Sequence, residues 1–297
     1  MKETKQETLD RIFTQLEEGT KNVYSSKAWT AYLQTMARFH QYSTSNSILI
    51  YTQKPDATYV AGYYAWKNTF HRRVRKGEKS IRILAPIRKY TVEQTDDGEE
   101  EQKYRITGFR PVSVFDVSQT VGKDLPSYMK NDLNGEVEDY ALFQEALCLA
   151  SPVPVHFEKL PEKIHGMYRT IDADILIQEG MSQKQTIRTM IHEIAHAMMH
   201  YPHPGDNQAS RNRREMEAES TAYAVASYYG IDTSEYSFPY IAGWSENHDM
   251  KELKDSLDVI RNTSDRLITT IDCILDPQKK SLYHRTSYGE EEKPAFF

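Results

Sequence analysis

The stretch from Met190 to His200, MIHEIAHAMMH, constrains this chain more than any other. Ile191, Ile194, Ala195 and Met198 recur at the three- and four-residue spacing that builds the apolar side of an α-helix. His192 and His196 are four apart, so on that helix they share a face. With Glu193 beside them they make the HExxH pattern, in which two imidazoles bind one zinc ion and the glutamate takes a proton from a water. As ordinary packed histidines they would each need a separate hydrogen-bond partner in an apolar neighbourhood. A shared metal satisfies both. The preceding MSQKQTIR offers Ser182 as the helix cap, so a helix is predicted from about residue 182 to 200.

A catalytic zinc takes a third protein ligand and leaves a position open. His200 lies eight residues beyond His192, about 12 Å along an unbroken helix, too far to join the same ion. A histidine six residues past the second ligand is also missing, because Pro202 stands there and His203 comes one position late. The next helix, RREMEAESTAY, places Glu215 and Glu219 four apart on one face. We assign the metal to Glu215, and to Glu219 the role of accepting the N–H of a ligating histidine. Glu217 falls off that face and is read as solvated. Zinc would acidify a water, with Glu193 accepting its proton and later passing it to a leaving amine. Tyr168, His165, His203 and Tyr223 are all candidates to stabilise an oxyanion, and DILIQ (174–178) is a candidate edge strand for an extended peptide.

The first part of the chain has a different character. Through residue 120 there are 19 Lys and Arg against 14 Asp and Glu, although the whole chain carries −6. Residues 67–89 hold nine basic residues and one acid, Glu78. Tyr59, Tyr63, Tyr64, Trp66 and Phe70 stand next to Arg72, Arg73, Arg75, Lys76, Lys79, Arg82, Arg88 and Lys89. Aromatic rings that stack on bases, interleaved with cations that track phosphates, are the composition of a single-strand binder. Tyr63, Tyr64, Trp66, Arg72, Arg73, Arg75, Lys76, Lys79 and Arg82 are therefore candidate contacts to single-stranded DNA. An ordinary solvated face would mix the signs of its charges.

Elsewhere the patterning outlines an α+β chain of two domains. Leu9, Ile12, Phe13 and Leu16 predict a helix over 4–18 that Gly19 stops, and Trp29 to Phe39 a second over 26–40. A short apolar segment, SILIY, comes next. TYVAG, SIRILAPI, KYRITGF and VSVFDV read as strands, with the acidic TDDGEEE (95–101) as a hairpin tip. The boundaries expected are an N-terminal helix-plus-antiparallel-sheet domain over 1–120, a linker over 121–136, a zincin-like domain over 137–276 and a flexible tail over 277–297. Cys148 and Cys273 are the only cysteines, too few for a disulfide framework. With a charged N-terminal run and no apolar span, they point to the cytoplasm and away from membranes.

These motifs in this order resemble a known family. FHQYSTSNSILIYTQKPDATYVAGYYAWKNTFHRRVRKGEKSIRILAPI, followed by FDVSQT, is similar to the N-terminal domain of ArdC-type antirestriction proteins and the related LtrC-like proteins of conjugative elements. The resemblance covers roughly residues 5–118, on YS-x-x-N, Q-x-P-x-A-T and V-x-K-G-E-K in combination. It implies a single-strand-binding domain ahead of a zincin-type metallopeptidase. Residues 137–230 are similar to that second domain and to the ImmA/IrrE peptidases, where the glutamate of E-x-x-A-[DEN] is the third ligand, a place EMEAE fills with Glu215. The resemblance further implies a protein that accompanies and protects transferred single-stranded DNA. The rival is a strand-coating module whose zinc site is structural or vestigial. A regulator of a transcriptional repressor fits less well, since no separate helix-turn-helix pattern is present.

Overall fold

The computed structural model describes residues 4–24, 26–94, 100–125, 137–199, 211–231, 238, 241 and 249–277. Its contacts divide the chain into two compact units. One runs to Gly19 and again over Ser45–Asp124; the other takes Thr20–Thr44 and the chain from Leu125.

The first unit contains most of α1 (Lys5–Val23) and α3 (Thr44–Gln53), then β1 (Val60–Gly62), α4 (Tyr63–Asn68), β2 (Arg72–Val74), β3 (Ile81–Gln94), β4 (Glu100–Asp116) and β5 (Thr120–Gly122). The helix expected to stop at Gly19 runs through it to Val23. Glycine is there for closeness: a Cβ at Gly19 would lie 2.8 Å from both Ile48 Cγ2 and Thr52 Cγ2 of α3. SILIY is helical, inside α3, and buries Ile48, Leu49 and Ile50. The two runs KYRITGF and VSVFDV join in the single long strand β4. Its antiparallel neighbours are β3 on one side and β1 on the other, and β2 pairs separately with β5. Val121 and Gly122, expected in the linker, belong to β5; residues 126–136 and the hairpin tip at 95–99 lie outside the described residues.

The outer edge of β3 is closed by side chains. Asn46 exchanges two 2.9 Å hydrogen bonds with the Leu84 backbone, and Gln53 two of 2.8 Å with Arg82. A primary amide offers the same donor and acceptor as a peptide, so these two residues of α3 stand in for a neighbouring strand. Asp116, fully buried, accepts from the amides of Thr58, Tyr59 and Ser118.

The second unit contains α2 (Ser26–Arg38), α5 (Val137–Ala150), β6 (Val155–Glu158), β7 (Gly166–Arg169), β8 (Asp174–Gln178), α6 (Gln183–Met199), α7 (Arg211–Tyr228) and α8 (Met250–Leu275). Its sheet has the order β6-β8-β7, with β6 parallel and β7 antiparallel to β8. DILIQ is thus the central strand and cannot accept an added peptide; its Ile175, Leu176 and Ile177 are buried. The sequence boundary at residue 120 keeps α2 with the N-terminal part, yet its contacts are with α7 and α8. The buried Trp29 indole donates to Ser220 Oγ at 3.2 Å, and Gln34 Nε2 donates to the Tyr223 hydroxyl at 2.9 Å. Tyr24, just before α2, donates to the Leu253 carbonyl at 2.5 Å. No helix among the described residues is long and apolar enough to cross a membrane.

Candidate metal centre

Ser182 caps α6, its hydroxyl accepting the Gln185 amide at 3.3 Å. From there Ile187, Met190, Ile191, Ile194 and Ala195 are fully buried, which turns His192, Glu193 and His196 toward α7 and β7. The three ligand atoms expected from the sequence converge. His192 Nε2 and His196 Nε2 are 3.1 Å apart, and Glu215 Oε2 lies 3.6 Å from the first and 3.5 Å from the second. Zinc bonds of 2.0–2.1 Å in a tetrahedron place ligand atoms about 3.3 Å apart, so the donor set fits one small divalent ion with a position left over. Among the described residues this is the one His/Cys/Asp/Glu cluster with metal-binding spacing.

The supporting groups are equally specific. Glu219 Oε2 lies 3.2 Å from His192 Nδ1, and its Oε1 accepts from Arg188 Nη2 at 3.2 Å. Arg188 is absent from the sequence-based site, although it precedes His192 by one helical turn and so shares its face. Glu193 is buried at 9% exposure, and its Oε2 accepts the Tyr168 backbone N–H of β7 at 2.8 Å. Gly166 lets that strand come close: a Cβ there would lie 2.5 Å from Thr189 Cγ2 and 3.1 Å from Glu193 Cγ.

Electrostatics follow from this packing. Burial pushes the Glu193 carboxyl above its usual range, against the pull of both histidines. Burial acts to lower the His192 pKa, but Glu215, Glu219 and Glu193 outweigh it and hold the ring up at about 9. Hydrogen bonds from His192 and then His196 keep the Glu215 carboxyl well below the usual carboxylate range. Without metal the site is an excess of negative charge around two imidazoles, a ready cation site.

Other expectations change. Glu217 is not solvated: it is 2% exposed, paired with Arg213 at 2.8 Å and accepting the Ser256 hydroxyl at 2.7 Å. Tyr223 is buried at 4% exposure and its hydroxyl accepts from Gln34 Nε2, so packing, not solvent or an open cleft, surrounds this oxyanion candidate. His165 is exposed in the loop before β7, and Tyr168 contributes its backbone N–H to Glu193. His200 and His203 lie outside the described residues.

Two family models match this chain: the N-terminal domain of the anti-restriction factor ArdC over residues 2–115, and the IrrE N-terminal-like domain of the M78 peptidases over residues 148–242. The chain joins an ArdC N-terminal domain to an M78 metallopeptidase domain. An uncharacterized Bacillus anthracis protein, pXO2-81, is 30% identical over 313 residues, covering 92% of this chain and 52% of its own length. The chain therefore spans about half the length of the curated relative it matches. A metal-free crystal structure of the antirestriction protein ArdC from plasmid R388 is 19% identical, covers 80% of this chain and 86% of its own, and superposes with a TM-score of 0.48. The Mn(II)-bound structure of that protein is 16% identical, covers 84% of this chain and 86% of its own, and gives a TM-score of 0.43.

In the ArdC N-terminal domain the candidate strand contacts separate into two groups. Trp66 must be withdrawn: it is fully buried, donates to the Phe115 carbonyl at 2.8 Å and packs on Tyr59 and Phe70. Its ring is core and cannot stack on a base. Arg72 is spent on the β2–β5 pair, with Nε donating to Thr120 Oγ1 at 2.7 Å and Nη1 to the Lys123 carbonyl. Arg75 pairs with Glu78 at 2.8 Å and donates to the Ser118 carbonyl at 2.6 Å. Tyr63 and Tyr64 are 49% and 74% exposed, and Arg73, Lys76 and Lys79 face solvent, with Arg82 half-buried.

Proposed function

We propose that this chain is a zinc-dependent peptidase held at single-stranded DNA by its ArdC N-terminal domain, acting in antirestriction or in protection of a transferred strand. The observation that carries the catalytic part is the convergence of His192, His196 and Glu215 within 3.6 Å of one another, with the buried Glu193 held beside them by a backbone N–H. A divalent ion bound there supplies Lewis acidity, polarising a carbonyl and acidifying a water. Glu193 then serves as proton carrier. Burial raises its affinity for a proton, which suits a base that must later return that proton to a leaving amine. Tyr168 N–H fixes one oxygen of that carboxylate and leaves the other to reach the reacting water. Glu219 and Arg188 orient the His192 ring.

With β8 enclosed, the edge strand beside Glu193 that is open to an extended peptide is β7, which pairs along one side only among the described residues. The DNA part rests on the family of the N-terminal domain and on the exposed Tyr63, Tyr64, Arg73, Lys76 and Lys79. The test is the Glu193→Gln variant loaded with zinc. It should bind one equivalent of metal and single-stranded DNA like the wild type while losing cleavage of a fluorogenic peptide library by at least about a hundredfold. Equal cleavage by the two proteins would sink the peptidase reading. A Glu193→Gln variant that still protects transferred DNA in cells would support the strand-coating rival.

A further inference from the structure

The long β3–β4 hairpin carries a surface that the charge count along the sequence conceals. Residues 81–94 and 100–116 pair over fourteen rungs, with a bulge between Ile87 and Arg88. Opposite residues of an antiparallel pair share a face. Tyr90 stands opposite Tyr104, Arg88 opposite Ile106 and Pro86 opposite Phe109, all on one face because the bulge absorbs Thr107. On this face Tyr90, Tyr104, Ile106 and Phe109 are between 45% and 54% exposed. The two tyrosine rings are 5.9 Å apart, and the Arg88 guanidinium lies 4.8 Å from the centre of the Tyr104 ring. Lys89, Arg105 and Arg110 are exposed on the opposite face. Neither 81–90 nor 104–114 contains an acid.

A cross-strand tyrosine pair with Phe109 two rungs away on the same face, and cations on the same two strands, can serve one class of ligand well. Alternate residues on a strand are about 6.8 Å apart, so the tyrosine pair and Phe109 can take two separated bases of a stretched single strand, with Arg88 on the rung between them. A protein partner would be met equally by the rings, but cations on both faces, with no ion pair among the described residues, favour a polyanion. Toward β1 the same face of β4 reaches Phe115, whose ring is 6.5 Å from Tyr63, and Tyr63 is 5.6 Å from Tyr64. The geometry points to the β3–β4 arm as the platform on which single-stranded nucleic acid lies, with Tyr90 and Tyr104 stacking on bases, Arg88 meeting phosphate on that face, and Lys89, Arg105 and Arg110 on the reverse face adding positive potential along the ribbon. This rests on the strand-binding reading above, and it relocates the main contact from the β2 region to the arm.

The test uses the full chain and a fluorescein-labelled oligothymidylate, with anisotropy read over a salt series. Tyr90→Ala/Tyr104→Ala should weaken binding about tenfold or more, while Tyr90→Phe/Tyr104→Phe keeps the rings and stays near wild type. Lys89→Ser/Arg105→Ser should flatten the slope of log affinity against log salt by about one to two. A wild type that shows no affinity for the oligonucleotide removes the strand-binding reading itself. A wild type that binds, with alanine and serine variants indistinguishable from it, overturns the arm alone. A phenylalanine variant as weak as the alanine variant rules out stacking as the contact. Circular dichroism and one equivalent of bound zinc in every variant separate loss of contact from loss of fold.

Discussion

At the residue scale the metal centre makes its own predictions. In the metal-free protein His192 titrates at about 9 instead of 6.5, so at neutral pH its ring carries a proton that an incoming metal must displace. Apparent metal affinity should therefore rise about tenfold per pH unit between 6.5 and 9 and level off above, as competition with a chromophoric chelator would show. The stability linkage has a definite sign. A raised histidine pKa contributes stability that is full below 6.5 and is lost as pH climbs through 9, so the metal-free protein should soften in that window. A flat melting profile there would contradict the assignment. Arg188→Ala leaves all three ligands in place but frees Glu219, and should cost roughly tenfold in metal affinity, with Arg188→Lys restoring part of it. Gly166→Ala sets a methyl against Thr189 Cγ2 at 2.5 Å and pushes β7 from Glu193. Its cost should be about 1–3 kcal/mol in thermal or denaturant melts, relieved by Thr189→Ser, which removes the opposing methyl.

At the scale of elements, the residues that carry the family resemblance prove to be scaffold. The asparagine of YS-x-x-N is Asn46 and the glutamine of Q-x-P-x-A-T is Gln53, and both close the β3 edge. In V-x-K-G-E-K, Glu78 is the partner of Arg75 and Gln119, and in FDVSQT, Asp116 gathers three backbone amides. Motif strength on its own would have sent mutagenesis to residues that fold the domain. Asn46→Ala leaves the buried Leu84 N–H and C=O unpaired and should destabilise the chain by about 1–3 kcal/mol in denaturant titrations, with Asn46→Asp only partly compensating because it cannot donate. The elements most legible in advance were α6 and α7, whose residue spacing lies within a single segment. The strands were found but their order was not: DILIQ has the same alternation at a sheet's edge as in its centre.

For the whole molecule, family boundaries and compact units disagree. The ArdC N-terminal match extends over residues 2–115, whereas Thr20–Thr44 folds with the metallopeptidase unit. Trp29, inside that match, is fully buried against α7 and hydrogen-bonded to Ser220. Trp29→Ala should cost about 3–5 kcal/mol and loosen metal retention, measured by thermal melts and by zinc release to a chelator. Loss of DNA affinity with an unaltered zinc site would place α2 in the wrong unit. The two readings of chain organisation thus differ in a measurable quantity.

The sequence by itself singled out His192, His196 and Glu215 as candidate ligands, Glu193 as candidate base and Glu219 as candidate support. These lie on two helices, where spacing in the chain is distance in space. It also determined that the N-terminal part is rich in rings and cations. Only the tertiary structure decided which of those are surface. Trp66 became core, Arg72 a fastener of the β2–β5 pair, Arg75 a half-exposed partner of Glu78 and Glu217 a buried ion pair, while Tyr90 and Tyr104 met across a hairpin fourteen residues apart in sequence. Burial and pairing depend on which elements pack together, and composition along a chain records charge and ring but not what covers them.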